Sequence, residues 1–191
     1  LLAKEGLFMA IDLINVYDEK KAQRVVELED IVDKYEDELG TYLVKLSSKN
    51  MSVKDSHMLT VLLHCIGDLE RIGDHAVNVA HSAKEMNEKN LRFSDAAEEE
   101  LKVYAQAIKD ILVTAVSALE TQDVKVAQSV EPLEEVIDDL SDELMSRHVR
   151  RLRKGECTIE MGFILADIMN NYERVSDHCS NIAICAIQES E

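Results

Sequence analysis

Paired carboxylates recur along this chain at a spacing that suits metal binding. Glu70 and Asp74 are four residues apart, which on a helix places both side chains on one face about a turn apart. Three further pairs have the same spacing at related positions. The complete set is Glu29, Asp33, Glu70, Asp74, Glu134, Asp138, Glu173 and Asp177. Carboxylates without thiolates form a hard oxygen site, which favours Mg²⁺, Ca²⁺, Mn²⁺ or iron over a sulfur-liganded zinc.

An internal repeat distinguishes these pairs from the many acidic pairs that so acidic a chain contains by chance. Residues 69–80 read LERIGDHAVNVA and residues 172–183 read YERVSDHCSNIA, so that Glu173 follows Glu70 by 103 residues. Upstream, Glu134 follows Glu29 by 105 residues within a second matched segment. Helix packing alone does not require polar residues to be repeated. We therefore predict at least one divalent metal or iron ion per copy, bound mainly by carboxylate oxygens.

Other polar residues are repeated beside the carboxylates. His75 and His178 directly follow the two aspartates, about 100° around the helix from them, and Asn78 and Asn181 lie four residues beyond those aspartates. The histidines are candidate metal ligands, hydrogen-bond donors to the ligands, or surface residues. The asparagines are candidates to supply amide oxygens or to bridge helices. We predict that these four residues support the metal sites.

The elements that position these residues are predicted to be helices. Apolar residues step by three and four, from Leu59 to Ala80 and again from Ile164 to Ala186, and the chain has one proline and no tryptophan. Asp95 with Glu98 forms a capping-type pair, and Thr158 is positioned to cap the last helix. Six helices are expected at residues 2–17, 20–46, 55–89, 96–121, 123–154 and 158–188. The predicted fold is all-α, with two tandem antiparallel three-helix bundles packed side by side, the first over residues 1–92 and the second over 93–191.

The charge of the chain limits its partners. With 21 basic and 38 acidic residues the net charge is −17, which excludes nucleic acid as a favoured partner. One basic cluster ends the fifth predicted helix, and it consists of Arg147, Arg150, Arg151, Arg153 and Lys154. These side chains either complement the helix dipole or contact an acidic partner or anionic lipid headgroups.

The chain has no apolar run of the roughly 20 residues that a membrane span requires. Its first residues show no signal-peptide pattern. The four cysteines form no C-x-x-C pair and are expected to be reduced thiols, which is consistent with a cytoplasmic location. Because it begins on Leu1 within a helical pattern, we expect an excised domain of a longer protein.

The segment at 69–80 and its counterpart at 172–183 resemble the signature of the PhoU family of bacterial phosphate-uptake regulators. The resemblance extends over essentially the whole chain, and residues 155–160 are similar to PhoU-like domains that end sodium/phosphate cotransporters. It implies a non-catalytic regulatory domain that binds multinuclear metal clusters through the repeated acidic motifs. The implied partners are a phosphate transporter or its membrane domain and, for free PhoU, a sensor kinase. The domain would be cytoplasmic, or membrane-associated as part of a transporter. Ser176 departs from the glycine of the first copy and Tyr172 from its leucine, which affects local packing more than the carboxylates.

Two other classes of protein share some of these features. A spectrin-like structural repeat also has three helices, but it does not need the duplicated Glu-Arg-x-x-Asp-His and usually relies on core tryptophan. A carboxylate-bridged di-iron oxidase would use Glu-x-x-His, and none of the six histidines has glutamate three residues before it. No catalytic motif with a nucleophile and a base is recognisable, so we predict no enzymatic activity. The sequence leaves open whether the chain forms a homo-oligomer.

Overall fold

The computed structural model describes residues 1–49 and 51–189, with the side chain of residue 189 left out, and within these ranges the regular structure is helical. Six long helices and one short helix follow one another. Their bounds are α1 Leu2–Asn15, α2 Glu19–Ser47, α3 Val53–Glu88, α4 Asp95–Thr121, α5 Val124–Gln128, α6 Val130–Arg153 and α7 Ile159–Glu189. The predicted all-α fold is confirmed.

The fifth predicted helix is interrupted, which the sequence analysis did not anticipate. It was expected as one element over residues 123–154, but α5 ends at Gln128 and α6 begins at Val130. Pro132 explains the break, because a proline has no N–H to donate and its ring clashes with the carbonyl four residues earlier. That carbonyl belongs to Gln128.

Local side-chain hydrogen bonds define the helix starts. Ser52 and Asp55 form a reciprocal capping box at α3. Thr158 caps α7 as predicted, with its hydroxyl accepting the Met161 N–H at 3.2 Å. The predicted pairing of Asp95 with Glu98 is wrong, because Ser94 is the cap of α4 and its hydroxyl accepts the Ala97 N–H. Serine just before a helix is itself a favoured cap.

The helices pack as two groups of three. Helices α1, α2 and α3 pack against one another, as do α4, α6 and α7, and the two groups join mainly through α3 and α7. The predicted stripe of α7 is buried throughout, from Ile164 to Ala186, whereas the stripe of α3 becomes fully buried from Ile72 onward. Within the described residues, no helix is long and apolar enough to span a membrane.

Candidate functional site

The first group of carboxylates lies where α2 crosses α3. A Cβ atom added at Gly73 would lie 3.6 Å from Glu29 Cγ, an ordinary van der Waals contact, so the Glu29 side chain lies against α3. Burial raises the pKa of Glu29, and the carboxylates of Asp74, Asp30 and Asp33 raise it further. The structure therefore brings predicted residues of α2 and α3 into electrostatic contact.

The arginine of the repeated motif partly neutralises this group. Arg71 is 3.7 Å from Glu70 and 3.6 Å from Asp74, measured from guanidinium nitrogen to carboxylate oxygen. Burial and the Asp74 carboxylate nevertheless raise the pKa of Glu70, against the opposing effect of Arg71. The expected repulsion between the paired carboxylates is present, but the chain supplies part of its own counter-charge.

The second group has the same arrangement between α6 and α7. Burial raises the pKa of Glu134, and the charges of Asp138 and Asp177 raise it further. Arg174 Nη1 is 3.4 Å from Asp177 Oδ2, equivalent to the contact of Arg71 with Asp74. Glu173 and Asp138 are exposed at the edge of the group. The helical pairing predicted for both repeats is thus observed.

Two buried hydroxyl groups distinguish the second group from the first. Ser176 occupies the position equivalent to Gly73, and its Oγ is buried without a hydrogen-bond partner in the described residues. Tyr104 Oη is also buried and makes no hydrogen bond there, although the Ser141 hydroxyl is near enough to lower its pKa. Burial has the larger effect and, with Glu173, Asp138 and Asp177, raises the pKa of Tyr104 to about 12. The Tyr104 hydroxyl therefore lies within electrostatic reach of the second carboxylate group.

The donors in both groups suit a hard cation, and the unpartnered Tyr104 hydroxyl beside the second group suits a metal-bound water. Their spacing is less favourable. Across the described parts of the chain, no three His, Cys, Asp or Glu side chains are arranged to enclose a metal ion. Metal binding at either group would therefore require side-chain rotation away from Arg71 or Arg174.

The repeated histidines and asparagines lie at the contact between α3 and α7, where His178 and Asn181 line a cavity together with Glu70 and Arg71. His178 Nδ1 donates to Asp68 Oδ1 at 2.8 Å, and Asn181 Nδ2 donates to the same oxygen at 3.0 Å. The other pair forms the equivalent contacts: His75 Nδ1 is 2.9 Å and Asn78 Nδ2 3.2 Å from Asn171 Oδ1. The two imidazole rings are 5.6 Å apart. These residues join the two repeats, which is the helix-bridging alternative proposed for the asparagines.

Asp68 and Asn171, which accept these hydrogen bonds, were not among the residues predicted from the sequence. They are separated by the same 103 residues as Glu70 and Glu173, and they directly precede the repeated segments 69–80 and 172–183. Both provide a side-chain oxygen, so the hydrogen-bond pattern is kept although the charge is not. Burial lowers the pKa of His75, whose partner is the neutral amide of Asn171.

The basic cluster is only partly available to a partner. Arg151 is nearly buried and lies 2.7 Å from Glu100, and Arg147 contacts both Glu143 and Glu100. Lys154 Nζ is 3.9 Å from Glu156 Oε1, which is a long distance for an ion pair. Arg150 and Arg153 are exposed and form no ion pair with any residue that the structure describes.

The sequence matches the PhoU domain over residues 2–83 and again over residues 101–186. The chain belongs to the PhoU family. It is 27% identical over 182 residues to a Thermotoga maritima protein named phosphate-specific transport system accessory protein PhoU homolog 1, covering 95% of this chain and 78% of that protein. A Xylella fastidiosa (strain 9a5c) protein named as a PhoU homolog of the same system is 27% identical, over 95% of this chain and 76% of its own length.

Solved PhoU structures share the fold. PhoU from Pseudomonas aeruginosa superposes with a TM-score of 0.90 at 22% identity, over 97% of this chain and 88% of that structure. The phosphate transport system regulatory protein PhoU from Streptococcus pneumoniae gives a TM-score of 0.85 at 19% identity, over 99% and 88%. At these identities the likeness establishes the fold of this PhoU-family chain and its two-repeat layout.

Proposed function

We propose that this chain is a non-catalytic, metal-binding regulator of phosphate uptake that acts by contacting a phosphate transporter. Its relatives are named as accessory proteins of a phosphate-specific transport system. The observation that carries the metal proposal is the convergence of carboxylates from two helices in each repeat, where burial and neighbouring charge raise the pKa of Glu29, Glu70 and Glu134.

A bound cation would relieve this unfavourable concentration of negative charge. In the first repeat Glu29, Glu70 and Asp74 would hold it, with Asp33 at the edge. In the second repeat the holding residues would be Glu134, Asp138, Glu173 and Asp177. The cation would supply positive charge and a fixed geometry that ties α2 to α3, or α6 to α7. Hard oxygen donors favour Mg²⁺, Mn²⁺, Ca²⁺ or iron.

Metal analysis of matched variants tests the proposal. Chelator-treated protein is incubated with Mn²⁺ or Fe²⁺, freed of unbound ions and analysed by mass spectrometry. Glu70→Gln with Asp74→Asn should lose the metal of the first repeat, and Glu134→Gln with Asp138→Asn that of the second. Glu135→Gln with Asp139→Asn is the control, because this exposed pair has the same spacing on α6. Undiminished metal in a folded double variant would remove that pair from the proposal, and a wild-type protein that binds no metal would refute it.

We propose that the transporter contacts those residues of the basic cluster that form no ion pair with Glu100. Arg150, Arg153 and Lys154 are exposed at the end of α6, in a chain whose net charge is −17. A local basic surface on an acidic protein would orient it toward an acidic loop of the transporter. A sensor kinase is an alternative partner for the same surface, and a homo-oligomer is a further possibility that sedimentation would test. We also propose a cytoplasmic location.

A further inference from the structure

A cavity of about 220 Å³ lies at one end of the second repeat. The start of α4, the end of α6 and the start of α7 enclose it. Its polar wall is formed mainly by Arg92, Ser94, His148, Arg151, Cys157 and Thr158. None of the eight candidate metal ligands lines this cavity.

Two helix starts converge on the cavity through their capping residues. The Ser94 hydroxyl accepts the Ala97 N–H, and the Thr158 hydroxyl accepts the Met161 N–H. Each hydroxyl keeps its own hydrogen for donation to a ligand. The helices that they cap are 27 and 31 residues long, and helix N-termini carry partial positive charge.

A buried imidazole without a partner forms the inner wall. His148 is only 3% exposed, and its Nε2 makes no hydrogen bond within residues 1–49 and 51–189. This nitrogen is directed at the first turn of α7, since a Cβ added at Gly162 would lie 2.8 Å from it. Burial and the neighbouring Arg151 lower the pKa of His148, which favours the neutral ring. Because Nε2 faces Gly162, His148 shapes the inner wall of the cavity and is not one of its donors.

The charged groups of the cavity are mainly positive. Arg151 remains close to Glu100, while the guanidinium of Arg92 is exposed and has no ion pair in the described chain. Glu156 is the one carboxylate among the lining residues. The Cys157 thiol donates to the Thr158 carbonyl at 3.4 Å. Guanidinium groups, hydroxyls and helix N-termini together are the donor set that proteins use for phosphate groups.

We propose that this cavity binds a phosphate-type oxyanion between Arg92 and Arg151, with the hydroxyls of Ser94 and Thr158 as further donors. The site needs no metal and is separate from the carboxylate groups, so it goes beyond the proposed function and can succeed or fail independently of it. Its ligand is either free orthophosphate or the phosphate of a lipid headgroup.

Binding is measured on the full chain after chelator treatment, so that metal-bound phosphate does not contribute. Equilibrium dialysis with labelled orthophosphate at constant ionic strength is expected to give saturable binding of one ion per chain. Arg92→Gln and Thr158→Val should each weaken it about tenfold, the usual effect of losing a charge-assisted or buried hydrogen bond. Arg150→Gln is the control, because Arg150 is an exposed arginine near the end of α6 that does not line the cavity.

A second readout is the alkylation rate of Cys157, the one cysteine that is not fully buried. Orthophosphate should slow it in the wild type and in Arg150→Gln, but not in Arg92→Gln. A parallel assay uses vesicles of phosphatidylcholine with phosphatidylglycerol. If the protein binds vesicles but not orthophosphate, and Arg92→Gln abolishes that binding, the ligand is a lipid headgroup. If it binds orthophosphate but not vesicles, the ligand is the free ion. If neither binds, or if Arg150→Gln weakens binding as much as Arg92→Gln, the proposal is wrong.

Discussion

A glycine in the first turn of α7 gives His148 the space that its ring occupies. A Cβ at Gly162 would approach Nε2 to 2.8 Å, closer than non-bonded atoms tolerate, and the ring is too enclosed to move freely. Replacing Gly162 by alanine therefore has two opposing effects on stability: it introduces a clash with His148, and it improves the helix propensity of the position. The clash should prevail in the native protein, because overpacking a buried site costs about 1–3 kcal/mol and the propensity gain is at most about 1 kcal/mol.

We predict that Gly162→Ala lowers the melting temperature by about 2–4 °C, measured by circular dichroism. In a His148→Ala background the same substitution should instead raise it, because the clash is gone. Gly67→Ala is the control, since no atom lies within 4 Å of its added Cβ, and it should stabilise in both backgrounds. Equal effects of Gly162→Ala in the two backgrounds would show that Nε2 does not occupy the glycine's space.

The crossing of α2 and α3 concentrates negative charge on one pair of elements. The pKa of Glu29 is raised in the folded protein, so the stability that this group contributes is present below its unfolded pKa and is lost as pH rises through the folded value. At neutral pH the ionised side chain therefore destabilises the metal-free protein.

We predict that Glu29→Gln stabilises the chelated protein at pH 7.5 by a few tenths of a kcal/mol, about 1–2 °C in melting temperature. The gain should be smaller at pH 5, because lowering the pH favours protonation of wild-type Glu29. Glu38→Gln, an exposed position on the same helix, should have no effect at either pH. A gain that is the same at both pH values would mean that the charge of Glu29 is not its source.

At the scale of the whole molecule, the charge distribution separates one surface from the rest. The exposed end of α6 carries Arg150, Arg153 and Lys154 on a protein of net charge −17, and Arg147 and Arg151 are already held by Glu100. Reversal of the exposed residues should therefore affect association without disturbing the fold, whereas reversal of Arg151 would also break an internal contact.

We predict that changing Arg150, Arg153 and Lys154 to glutamate weakens association with the detergent-solubilised phosphate transporter of the same organism at least tenfold. The loss should be greatest at low salt, because screening already weakens surface attraction at high salt. Changing Lys20, Lys21 and Lys34 to glutamate alters net charge equally at exposed positions of α2 and serves as the control. Surface plasmon resonance at several ionic strengths measures both. Unchanged affinity would leave the helix dipole as the explanation of the cluster.

The sequence by itself determined the helical class, the two repeats and the family, because these follow from local information. A step of three and four residues encodes which side of a helix is buried, and a fixed spacing of similar segments encodes a duplicated unit. The carboxylates of α2 and α3 were also predictable as neighbours, since a short connection makes successive helices antiparallel. Pro132 also encodes the break at Gln128, since its ring is incompatible with a continuous helix there.

Only the tertiary structure decided which side chains meet across the repeats. Asp68 and His178 are 110 residues apart, and their hydrogen bond depends on the register with which α3 packs on α7. The periodicity of either helix does not specify that register. The same holds for the cavity around His148, which forms where three helix ends converge. Arg151 is a further example. The sequence does not show which arginine of the basic cluster forms an internal ion pair, and only the packing of α4 on α6 places Glu100 beside Arg151.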